Sequence, residues 1–108
     1  MVNVTNLLDE VPQTLPEELI QTLAASKHVR IERIISDQHS SPLGFWYDQE
    51  WSEWVCVIQG CAILEFQSPK DEIILEAGDC LLIEAHRKHR VLETSSQEKT
   101  IWLAVHYQ

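Results

Sequence analysis

The sequence predicts an all-β fold, an antiparallel sandwich or barrel preceded by one short helix. From Lys27 onward apolar residues recur with period two, in runs of about four to eight residues. Turn-forming residues bound each run, and the runs are evenly spaced. The chain of 108 residues holds one compact core and has no room for a second.

The opening segment, to about Asn6, is polar and reads as extended, and Leu7-Leu8 and Val11-Pro12 offer apolar contacts before a turn. A helix is then expected. Thr14 suits an N-cap, Glu17 completes a capping box, and Pro16 sits in the first turn, where its missing N–H is harmless. Leu15, Leu19, Ile20 and Leu23 form a helical stripe that fades over Ala24-Ala25-Ser26. A helix of about three turns is marginal alone, so the stripe should pack on the barrel. Residues 1–26 therefore read as an extension and 27–108 as the barrel.

A first strand alternates Val29, Ile31 and Arg33 with Arg30, Glu32 and Ile34, and 37–42 has loop chemistry. Further strands are expected at Phe45–Tyr47, Glu53–Ile58, Ala62–Gln67, Glu72–Leu75, Cys80–Ile83, His89–Thr94 and Thr100–His106. Two of them, 53–58 and 100–106, are apolar on both faces, whereas an antiparallel strand with one wet face should alternate. A second sheet, the helix or another subunit must cover them, which favours a homodimer. Cys56 and Cys61 flank the Gln59-Gly60 turn, and a two-residue loop there would pair Cys61 with Ile58. Three cysteines with no Cys-x-x-Cys pattern encode neither a disulfide scaffold nor a zinc ribbon, and Cys56 and Cys61 read as buried small hydrophobes in a reducing compartment.

The formal net charge of −9 argues against nucleic-acid and anionic-membrane partners, because phosphates are repelled. No apolar run approaches the ~20 residues of a membrane helix. The first residues lack the basic start and apolar stretch of a signal peptide, so a cytoplasmic protein is expected.

The densest chemistry lies in Gly44–Gly60, with three of the four tryptophans. Counting back from Gly60, Glu53 precedes six intervening residues, Gln49 stands four before it, and Tyr47 two before that. Downstream, Gly78, Glu84, His86, His89 and Glu93 hold a second set of spacings. On these positions the chain resembles the cupin superfamily, in particular its small single-domain bacterial members. The resemblance implies a double-stranded β-helix, or jelly-roll barrel, over about residues 27–107. Glu53 and His89 fill the family's Glu and second-motif His slots. Tyr47 and Gln49 replace the two first-motif histidines, and Glu84, His86 and Glu93 replace Pro, Gly and Asn.

The strand period places Tyr47 and Gln49 on one face, Glu53 with Val55 and Val57, and His89 with Val91. In a cupin-like barrel these all point to one mouth. A Glu among apolar barrel residues is costly unless it meets a cation or several donors. Gln49, Glu53 and His89 could hold a divalent transition metal (Mn, Fe, Zn or Ni), completed by Tyr47 or water. Alternatively Glu53 and His89 form a buried ion pair without metal. The oxygen-activating triad needs a second histidine, and His28, His86 and His106 all lack the family position, so dioxygenase chemistry is disfavoured.

Tyr47 as general acid and His86 as general base are the catalytic candidates, although His86 also suits a turn cap at the rim. His106 on the last strand could face the cavity, but it reads better as a satisfied core or edge histidine. The tryptophans read first as core or interface residues, with Trp51 the one that could meet a ligand, and Arg87-Lys88 with Arg90 reads as a solvated turn that could also hold an anion. The function expected is isomerase- or lyase-like chemistry on a small polar or anionic metabolite. The alternative is a non-catalytic small-molecule-binding or regulatory module.

Overall fold

The computed structural model describes residues 2–108. In chain order its strands are β1 (Leu19–Ala25), β2 (Val29–Ser36), β3 (Ser52–Gln59), β4 (Cys61–Phe66), β5 (Asp71–Glu76), β6 (Cys80–Ile83), β7 (His89–Thr94) and β8 (Thr100–Tyr107). From β3 to β8 each end falls within one residue of its sequence expectation. A five-stranded sheet runs β1-β2-β8-β3-β6 and a three-stranded sheet runs β5-β4-β7, with antiparallel ladders throughout. The expected Phe45–Tyr47 strand is reduced to a single bridge between Tyr47 and His89.

The short N-terminal helix does not form. Among the described residues there is no helix, and the chain is extended or turning to Glu18 before β1 begins. β1 pairs with β2 from Leu19↔Ile35 to Ala25↔Arg30, with a register shift between Thr22 and Ala24. A three-turn helix would have to hold its own backbone bonds, whereas the ladder satisfies them against a strand already present. The stripe Leu19, Ile20 and Leu23 is compatible with either state, and tertiary pairing decides it.

The inner faces of the sheets meet in a core of Val55, Val57, Ala62, Leu64, Phe66, Leu75, Ile83, Trp102 and Ala104. Full burial of a side chain such as Leu64 contributes about 2 kcal/mol. Trp102 also carries a polar group inward, and its Nε1–H donates to Ser36 Oγ at 3.1 Å. The Ser36 hydroxyl donates in turn to Glu18.

The Gln59-Gly60 turn is not a hairpin, so the expected Cys61–Ile58 pairing is not made. β3 lies in one sheet and β4 in the other, and Cys61 pairs with Glu76. Gly60 has φ +87°, and a Cβ there would come within 2.8 Å of the Thr100 backbone. Only glycine passes the chain between the sheets at this point without strain.

Ile35 and Ile101 lie outside the inner core cluster yet are fully buried. The N-terminal arm reaches this outer face, held by Arg33 on β2. Arg33 donates to the carbonyls of Leu7 at 3.1 Å and Asp9 at 2.6 Å, and to Gln21 Oε1 at 2.7 Å. No described helix is long and apolar enough to cross a membrane.

Candidate functional site

At the barrel mouth a cavity of about 460 Å³ opens between the two sheets. Tyr47, Gln49, Glu53 and His89 all line it, so four of the five site residues expected from sequence converge. Strand parity explains the convergence. Glu53 opens β3 on the inward face of Val55 and Val57, and His89 opens β7 on the inward face of Val91. Tyr47 is bound to β7 by its backbone, donating to His89 O at 2.7 Å and accepting from His89 N at 3.2 Å. Its ring stacks on the His89 ring, with centroids 5.3 Å apart.

Glu53 is buried, with 7% of its surface exposed, and its polar contacts are loose. Gln49 Nε2 donates to its Oε1 at 3.4 Å, His89 Nε2 stands 3.9 Å from Oε1, and His106 Nε2 stands 4.0 Å from Oε2. The proton positions on the two imidazoles follow from their partners. His89 Nδ1 lies 2.9 Å from the Arg87 carbonyl, which can only accept, so Nδ1 carries the hydrogen. In the neutral ring Nε2 then presents a bare lone pair towards Glu53. His106 Nε2 lies 3.0 Å from Glu32 Oε1 and acts as the donor there.

His106 and Glu32 are site residues that the sequence reading did not assign to the mouth. His106 is satisfied and buried, as expected, but it also lines the cavity. The available signal was parity: Glu32 shares a face with Ile34, and His106 with Trp102 and Ala104. Nothing local shows that β2 and β8 lie side by side in the register Glu32↔Ala104.

The structure does not bring His86 into the cavity lining. Its side chain is 66% exposed, and Nδ1 meets Asp48 Oδ1 at 2.9 Å. The backbone accounts for this. His86 has φ 64° and its N–H donates to Gln49 O at 2.7 Å, so it turns the rim in the slot where the family motif has Gly. The basic island is also engaged elsewhere. Arg87 lies over Phe66 and donates to Pro69 O, while Arg90 meets Glu65 at 3.5 Å and lies over Trp46.

The cavity is acidic. Glu18, Glu32, Glu50 and Glu53 line it against a single arginine, Arg30, whose Nε already bonds Glu32 Oε2 at 2.9 Å. Burial and, secondarily, the negative charges of Glu18 and Glu53 push the Tyr47 phenol above its ordinary pKa. Tyr47 therefore holds its proton across the neutral and mildly alkaline range and is available there as a hydrogen-bond donor. Trp51 lies at the mouth with Arg30 over its ring at 5.9 Å.

Two facing antiparallel sheets, closed by short turns around an inward Glu–His mouth, define a double-stranded β-helix barrel with a cavity at its mouth. Comparison with solved structures agrees. The chain is 42% identical to a Ralstonia eutropha JMP134 protein provisionally designated a mannose-6-phosphate isomerase, over 99% of both chains, with a TM-score of 0.95. A cupin superfamily protein from Desulfitobacterium hafniense DCB-2 is 20% identical over 90% of this chain and 83% of its own, with a TM-score of 0.73. An RmlC-like cupin with a double-stranded β-helix fold, from Methanocaldococcus jannaschii, is 13% identical over 91% and 86%, with a TM-score of 0.69. The chain belongs to the cupin superfamily. No family model and no curated protein matches it.

Members of this superfamily often carry a metal, and the donors here fit one in chemistry. Two ligands at ~2.1 Å on a tetrahedral ion stand roughly 3.4 Å apart. The Glu53–His89 separation of 3.9 Å comes within about half an ångström of that, whereas Gln49 turns its Nε2–H towards Glu53 and must flip its amide to offer Oε1. Among the described residues no group of three or more His, Cys, Asp or Glu is arranged to hold an ion, so an amide or water must complete the set.

Proposed function

We propose that this cupin is a metal-dependent enzyme with isomerase- or lyase-like chemistry on a small, uncharged polar metabolite. Gln49, Glu53 and His89 would hold the divalent ion (Mn, Fe, Zn or Ni). The observation that carries this reading is the tautomer of His89: the Arg87 carbonyl fixes Nδ1–H and turns the Nε2 lone pair towards a buried, loosely bonded carboxylate. When bound, the ion supplies a Lewis acid for a carbonyl or hydroxyl oxygen.

The remaining residues have separable tasks. The Tyr47 phenol holds a proton at the mouth and donates it, or a hydrogen bond, to substrate oxygen. The Glu32–His106 pair, closed at 3.0 Å, is placed to accept a proton on another side of the cavity. Trp51 offers a ring face. Charge supports an uncharged substrate, because Arg30 is already paired with Glu32 and Arg87 and Arg90 do not line the cavity. The designation of the Ralstonia relative supports isomerase chemistry, while the acidic lining here disfavours a phosphorylated substrate.

A second reading, a non-catalytic binding module, is favoured by one observation. Glu53 lies within 4.0 Å of both imidazoles and could pair with a protonated His89 without metal. Elemental analysis of tag-free protein purified without chelator, beside Glu53→Ala, separates the two. Near-stoichiometric transition metal that vanishes in the variant is expected. Protein that is metal-free and fails to bind added Mn²⁺, Fe²⁺, Ni²⁺ or Zn²⁺ would overturn the enzyme reading.

A further inference from the structure

Away from the mouth, Cys56 on β3 and Cys80 at the start of β6 are direct antiparallel partners. The hydrogen bonds one step along identify the kind of pair. Val57 N–H donates to Asp79 O at 3.0 Å, and Val57 O accepts from Gly78 N–H at 2.7 Å. Val57 thus turns its backbone groups towards β6 and Cys56 turns its own away, so Cys56 and Cys80 occupy a non-hydrogen-bonded position. At such positions the Cα atoms stand ~4.5 Å apart and the side chains project to the same face. A disulfide needs a Cα separation of about 4.4–6.8 Å, so the ladder presents both thiols within bridging range. That face is the outward one, since Val55 and Val57 point into the core. Cys80 is exposed and Cys56 partly so. Burial raises the Cys56 thiol pKa first, followed by the proximity of Cys80 and Asp79.

We propose that Cys56 and Cys80 form a reversible dithiol–disulfide site that responds to hydrogen peroxide. Peroxide oxidises the exposed Cys80 to a sulfenic acid and is reduced to water. The Cys56 sulfur then attacks that sulfur, the S–S bond forms, and the sulfenic oxygen leaves as a second water. Two thiols lose two electrons and two protons in all, and a small thiol reverses the reaction by exchange. The bridge would tie the short edge strand β6 to β3, three steps along the ladder from the Glu53↔Ile83 pair. The third cysteine, Cys61, is exposed rather than buried as expected, lies on the other sheet opposite Glu76, and has no such partner among the described residues.

The test uses full-length Cys61→Ser protein, which removes the third thiol, treated with about one equivalent of peroxide and then alkylated. The expected product runs as a single chain under denaturing, non-reducing conditions, takes up no alkylating agent, is lighter by two hydrogens, and recovers both thiols with dithiothreitol. A peptide map should join residue 56 to residue 80. In Cys61→Ser/Cys56→Ser protein, Cys80 should instead stop at the sulfenic acid or link two chains. Two alkylated thiols after peroxide, or sulfinic acid without a bridge, would overturn the proposal. So would intermolecular disulfide as the main product of Cys61→Ser. Each readout is independent of metal content and activity.

Discussion

Replacing Glu53 with glutamine gives opposite results under the two readings of the mouth. Glu53→Gln keeps the volume of a buried side chain and removes its charge. The contacts of the carboxylate, at 3.4, 3.9 and 4.0 Å, all exceed the 2.7–2.9 Å of a charge-assisted hydrogen bond. A buried polar group left without a full partner costs about 1–3 kcal/mol, and more when charged. In metal-free protein the neutral amide should therefore stabilise the fold by about 1–2 kcal/mol, or roughly 4–8 °C in Tm. Its NH₂ can also donate to the bare Nε2 of His89. Metal should reverse the order, because an ion at a hundredfold its Kd adds about 2.7 kcal/mol to the wild type and little to the variant. Differential scanning calorimetry with and without Mn²⁺ or Zn²⁺ reads both effects. A loss of about 3 kcal/mol or more in metal-free Glu53→Gln would refute the reasoning, since that is the cost of breaking a buried ion pair.

Other substitutions probe the rest of the frame. Tyr47 has a raised pKa in the folded state, so its contribution to stability is complete below the ordinary tyrosine range and lost as pH rises through the folded value. Tyr47→Phe should flatten this alkaline loss and remove the late component of a tyrosinate absorbance titration. Gly60→Ala must place a Cβ within 2.8 Å of the Thr100 backbone at φ +87° and should destabilise by at least about 2 kcal/mol in urea. Arg33→Ala removes the charged donor that holds the carbonyls of Leu7 and Asp9. Limited proteolysis should then cut within the first 18 residues while the Trp102 environment, read by near-UV dichroism, stays unchanged.

Much of the barrel was legible because period two is a covalent property of an extended chain. It located the strands from β3 to β8 and turned Glu53 and His89 inward with their apolar neighbours. Motif spacing added Tyr47 and Gln49 to the same mouth and named Gly60 as the motif's closing glycine, a position where the structure admits no side chain. It also marked position 86 as a backbone turn, which His86 fills in the left-handed conformation.

Tertiary structure decided what depends on partners distant in the chain. Residues 19–25 carry a pattern open to helix or strand, and the neighbouring β2 made them a strand by taking up their backbone bonds. Glu32 and His106 are 74 positions apart, and only the β2–β8 register brings their side chains to 3.0 Å. The Arg87 carbonyl, beyond the reach of any spacing rule, selects the His89 tautomer that turns a lone pair towards Glu53. Spacing along the chain determined which residues face inward; pairing between strands determined which of them meet.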